Sequence, residues 1–62
     1  MKTYEEAIME LAGWFNHKDH NPEFWDDYSE ERLIGAYRML TWMSGKTQEE
    51  VADDIRAAKL AL

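Results

Sequence analysis

Two stretches of this chain begin with the same spacing, Thr3 with Glu6 and Thr47 with Glu50, and each is followed by apolar residues at helical intervals. In such a capping box the threonine hydroxyl takes up an unpaired backbone N–H of the first turn, while the glutamate accepts from the threonine's own N–H. Both ends of the chain are thereby committed to helix. Behind Thr3, the residues Tyr4, Ala7, Ile8, Leu11, Ala12 and Phe15 lie on one stripe, which predicts a helix from about Tyr4 to about Phe15. Behind Thr47, Val51, Ile55, Ala58 and Leu62 mark the stripe of a last helix running almost to Leu62.

Between them, the polar run Asn16–Asn21 breaks the periodicity. Asn21 followed by Pro22 then reads as a cap and a first helical position, because proline has no N–H to leave unpaired. A short helix over Pro22–Tyr28 would put Phe24 and Tyr28, four apart, on one face toward the core. Ser29 is the expected cap of a third helix, Glu30–Met43, with Gly45 placed to end it in a left-handed conformation. Its main face is Leu33, Tyr37 and Leu40, flanked by Ile34, Ala36 and Met43, while Gly35, Met39 and Trp42 lie along its back. Apolar residues nearly all round predict a central helix with neighbours on both sides; left exposed, the back would instead be a binding patch. No strand-like alternation or hairpin turn stands out. The expected fold is all-α, a single domain over residues 1–62. It is a small bundle of three principal helices plus a short helix or turn near residues 22–28, packed around Leu11, Phe15, Leu33, Tyr37, Leu40, Val51 and Ile55.

A 62-residue chain buries only about 60% of the surface its unfolded form exposes. It has no cysteine to cross-link it, so eight aromatic side chains must supply the core mass, with homodimerisation as a further means of stabilisation. No apolar run is long enough for a membrane span, and the N-terminal residues carry acids where a signal peptide needs a basic flank; the expected location is cytoplasmic.

Charge is polarised along the chain. Residues 1–31 hold nine acids against Lys2 and Lys18, whereas residues 32–62 hold four acids against five bases, for a net of −6. Such a field repels phosphate backbones and favours basic partners, so direct nucleic-acid binding is not expected. The excess centres on Asp19–Glu31, where six acids interleave with Phe24, Trp25 and Tyr28. The expected partner-binding residues are Trp25, Asp26, Asp27, Glu30 and Glu31, with Met39 and Trp42 from the third helix. The partner would be a protein with a basic or apolar surface. A second reading makes the acidic half a mimic of nucleic acid that blocks a DNA- or RNA-binding protein.

Chemistry has less to work with. His17, His20 and Glu23 carry nitrogen and oxygen donors at a spacing compatible with a metal ion, although a structural site needs about four fixed ligands. There is no thiol, Ser29 and Ser44 sit where helix ends need caps, and the paired carboxylates suit a solvated face; neither enzymatic activity nor a cofactor is expected. The run His20, Asn21, Pro22, Glu23, Phe24, Trp25 and then Tyr28 resembles the active-site loop of pterin-4a-carbinolamine dehydratases, a resemblance that implies a following strand and a further histidine. Neither follows here, where Leu33–Met43 has helical period and no histidine comes after His20. The segment Gly45–Ile55 resembles the first helix of the helix-turn-helix in phage-repressor-like regulators, which implies a turn and a basic recognition helix; instead Arg56–Leu62 continues the same helix. In size and acidity the chain looks like the short accessory proteins that bacteriophages and mobile elements encode to modulate host factors.

Overall fold

The computed structural model describes residues 2–62 and contains three helices, α1 (Tyr4–His20), α2 (Asp27–Ser44) and α3 (Gln48–Lys59), with a short 3-10 turn at Pro22–Phe24 between the first two. It is an all-helical bundle. Both capping boxes form. The Thr3 hydroxyl accepts from the Glu6 N–H at 3.2 Å, and the Thr47 hydroxyl accepts from the Glu50 N–H at 3.1 Å. Each glutamate in turn accepts from its threonine's N–H, at 3.4 Å and 3.0 Å respectively.

α1 runs five residues past the apolar stripe that defines it, to His20 rather than Phe15. What extends it is polar anchoring. The Asn16 carbonyl can only accept, so at 2.8 Å it accepts a hydrogen bond from the His20 Nδ1–H; the Asn21 N–H donates to the His17 carbonyl at 2.8 Å. Lys18 and Asp19 pair across to Glu30 and Lys59. His17, Lys18 and His20 also place basic groups in the last turn, where the helix dipole favours them.

The expected short helix over Pro22–Tyr28 does not form as one element. Pro22–Phe24 makes a single 3-10 turn, then Trp25 (φ −95°, ψ 106°) and Asp26 (φ −100°, ψ 178°) are extended. Asp26, not Ser29, caps α2, its carboxylate accepting from the Ser29 N–H at 2.8 Å. Because Phe24 and Tyr28 therefore belong to different elements, the four-residue relation between them has no structural meaning. Their expected burial is overturned: Phe24 is 72% and Tyr28 67% exposed. Trp25 turns inward instead and packs, half-buried, against the core. Gly45 ends α2 at φ +74°, the left-handed cap that glycine adopts without steric cost.

Among the described residues the buried core is Ile8, Leu11 and Ala12 from α1, Leu33 from α2, and Val51 and Ile55 from α3. Phe15, Tyr37 and Leu40, expected in the centre, are half-buried against this cluster. The central helix is thus α1, not α2. Lys18 meets Glu30 at one end of the α1–α2 contact and Trp14 meets Arg32 one turn further along, so the two helices run antiparallel. The start of α1 is tied to α3 through Tyr4, whose hydroxyl donates to Asp54 Oδ2 at 2.5 Å, and Lys46 reaches the same oxygen at 2.9 Å. No helix among the described residues is long and apolar enough to cross a membrane.

Leu33 and Val51 are the largest side chains lacking essentially all contact with water. Truncating either leaves a cavity as well as forfeiting transfer free energy. Leu33→Ala is expected to cost about 2–5 kcal/mol, which for so small a core abolishes cooperative unfolding in urea followed by circular dichroism.

Three ion-paired carboxylates give the fold a pH dependence. The hydrogen bond from Lys59 holds Asp19 below the ordinary carboxylate range; Lys18, then Trp25, does the same for Glu30, and Tyr4, then Lys46, for Asp54. A folded-state value lowered in this way contributes stability that is fully present above the ordinary values of 3.8 and 4.5 and is lost as pH falls through the depressed ones. The urea midpoint should therefore decline on acidification through and below that range, and Asp54→Asn should flatten the decline.

Candidate interaction surface

The acidic run that dominates the sequence divides into two sets once folded. Asp19 Oδ2 lies 2.5 Å from Lys59 Nζ, Asp26 is spent on the α2 cap, and Glu30 is 2.7 Å from Lys18 Nζ while accepting the Trp25 indole N–H at 2.5 Å. The Lys18 ammonium also sits 5.8 Å from the Trp25 ring centre, and the tilted His17 ring lies 6.3 Å from it. Trp25, Asp26 and Glu30 are thus engaged within the molecule, where they fasten the connection between α1 and α2. Backbone donation from Ser29 lowers the Asp26 pKa and the Lys18 ammonium lowers that of Glu30, so both carboxylates are held charged by their own partners.

Of the expected docking residues, Asp27, Glu31, Met39 and Trp42 face outward. Asp27 and Glu31 are exposed, with no side-chain hydrogen bond or ion pair among the described residues; Met39 is 55% and Trp42 80% exposed. Among the described residues the back of α2 has no second neighbour: α3 lies on its Leu33 side, and α1 meets it from that side round to Arg32 and Met39. Tyr28, Arg32, Gly35, Met39 and Trp42 succeed one another at spacings of four, three, four and three, a heptad rhythm that keeps them on a single seam. Met43, 71% exposed, borders it, and Glu31 and Arg38 line the opposite edge.

Tyr28 and Arg32 were not visible as part of this surface from sequence. The four-residue spacing from Phe24 points Tyr28 inward through a helix that does not form, and Arg32 joins by geometry: its guanidinium lies 5.5 Å from the Trp14 ring centre and 5.7 Å from that of Tyr28. Their i, i+4 spacing was the one available signal. Stacking on two rings fixes a long cation that would otherwise sweep solvent, so the seam is partly pre-ordered. Beside it, between α1 and α2, runs a shallow groove of about 440 Å³ whose apolar lining includes Ala7, Ala36, Met39, Leu40 and Met43.

The metal donors are not brought together. His20 Nδ1 is used on the Asn16 carbonyl, His17 Nδ1 lies 3.4 Å from the Asn21 amide nitrogen, and Glu23 is on the separate 3-10 turn. No cluster of three or more histidine or acidic side chains that could hold a metal occurs among the described residues. Trp14, His17, Trp25, Ser29 and Arg32 do line a cavity of about 170 Å³, but it is open and Arg32 already stacks against its Trp14 wall.

Comparison with protein-family models, with curated protein sequences and with solved structures gives no match.

The two burial classes of tryptophan give a direct optical test. Acrylamide should quench Trp42 strongly and Trp25 weakly, so Trp42→Phe removes most of the quenchable emission whereas Trp25→Phe leaves it nearly intact. Equal quenching of both would contradict the inward packing of Trp25.

Proposed function

We propose that this chain is a non-enzymatic protein-binding module that docks through the outer face of α2. The observation that carries this reading is Trp42, 80% exposed, with Met39 and Met43 beside it at 55% and 71%. Tryptophan and methionine are enriched at the desolvated centres of protein interfaces, where a few anchors supply most of the binding free energy. Such a concentration on one helix of a chain with so little core is costly to leave in water, and covering it offsets that cost. Asp27, Glu31 and Arg38 would form the polar rim. The size and acidity suit an accessory role in which the module modulates a larger protein, of the kind that bacteriophages and mobile elements encode. Membranes and nucleic acids are not the expected partners.

An anchor of this kind makes a definite prediction. With the tagged protein as bait, proteins retained by the wild type should be lost with Trp42→Ala, whose affinity for a purified partner falls by roughly 30-fold, the equivalent of about 2 kcal/mol. Affinity should change little between low and moderate salt. Retention by Trp42→Ala together with a steep loss of affinity in salt would sink this reading in favour of nucleic-acid mimicry through the acidic half.

A further inference from the structure

Taking the outer face of α2 as a docking surface, we infer that its occupant is a second copy of this chain, with the two α2 helices packed antiparallel along the Tyr28, Arg32, Gly35, Met39 and Trp42 seam. Three independent features of the molecule converge on this occupant.

The first is Gly35. Glycine inside a helix is destabilising relative to alanine, because more backbone freedom is lost on folding. Nothing among the described residues of the protomer requires it: φ is not positive, and a Cβ built at this position meets none of their atoms within 4 Å. Gly35 is instead the midpoint of the exposed seam, seven residues from both Tyr28 and Trp42. A missing side chain there lets a second helix approach closely while the large residues on either side interdigitate.

The second is the rhythm of the seam. A 4-3-4-3 spacing keeps successive side chains on one side of α2, where a single straight or gently supercoiled partner helix can meet them all. The third is charge. The start of α2 is acidic, with Asp27 and Glu31 exposed and unpaired among the described residues, whereas no acid occurs between Arg32 and Glu49 and the exposed charge in the second half of the helix is Arg38. A parallel pair in register would set Arg32 against Arg32 and align the two acidic starts. An antiparallel pair opposes the helix dipoles and brings matching edges of the two helices together, so that Glu31 of each copy faces Arg38 of the other. Of these two arrangements, only the antiparallel one sets opposite charges against each other.

Sedimentation equilibrium across micromolar to sub-millimolar concentrations should show a mass of about twice 7.4 kDa. Gly35→Leu should weaken the dimer by at least roughly tenfold through overpacking of the seam. Its protomer should still fold, as circular dichroism can verify, because the added Cβ has open space around it. Arg38→Glu should weaken dimerisation by roughly fivefold, and the swap Glu31→Arg with Arg38→Glu should restore it. A wild-type mass of one chain at every concentration would overturn the inference, as would a dimer indifferent to Gly35→Leu and Trp42→Glu. A dimer that Gly35→Leu disrupts but the charge swap does not restore would overturn the antiparallel arrangement. If the protein is monomeric yet Trp42→Ala still abolishes capture of a different protein, the docking face stands and self-pairing alone falls.

Discussion

Leu33 is the one side chain by which α2 is sunk fully into the core, and the character of the molecule follows from how it is held there. It meets a cluster drawn mainly from α1 and α3, whose Ile8, Leu11, Ala12, Val51 and Ile55 are buried together. A helix anchored along so narrow a line cannot be enclosed by two neighbours. Burial of a leucine stabilises by about 1.5–3 kcal/mol, enough to seat α2 but not to hide its opposite face. The exposure of Tyr28, Met39, Trp42 and Met43 is therefore a geometric consequence of placing α1 at the centre of a three-helix arrangement with little mass to spare.

A second constraint, at the entry to α2, fixes its direction. Two extended residues, Trp25 and Asp26, do different work: the carboxylate starts the helix, and the indole folds back to donate to Glu30 one turn along it. Lys18 joins Glu30 from the end of α1, and its ammonium also lies beside the indole ring. Each of these contacts is partly exposed and modest alone, but they share members, so the connection is held by a network rather than by one bond. The same network lengthens α1 past its apolar stripe. Local polar pairing here decides how the helices meet, and with it which face α2 shows to solvent.

The consequences for function lie in what that arrangement leaves unused. Half of the acids in the Asp19–Glu31 segment are consumed by lysines and a helix cap, so a negative field read from sequence as a recognition surface is in part internal structure. What stays available is a mixed seam of aromatic, thioether and guanidinium groups with charged edges. It is on the composition of this seam that the proposed docking role rests.

Much of this was legible in the amino-acid sequence because it depends on neighbours three or four residues apart. The two capping boxes, the left-handed Gly45, the stripe of α3 at Val51, Ile55 and Ala58, the all-helical class and the back of α2 at Gly35, Met39 and Trp42 are all local patterns, and the chain determined them by itself; Leu62, expected on the same stripe, lies past the end of α3 and is exposed. Where the sequence misled, two elements competed for the same residues. Phe24 and Tyr28 keep helical spacing only if Trp25 and Asp26 are helical, whereas Asp26, an N-cap as good as Ser29, starts α2 while the extended Trp25 reaches Glu30. The end of α1 depends on Lys18 and Asp19 finding Glu30 and Lys59, partners 12 and 40 residues away. Which helix lies at the centre, and so whether the back of α2 is core or surface, is settled by packing between segments remote in the chain. A helical wheel gives a residue's direction from the helix axis, but only the tertiary structure says what stands in that direction.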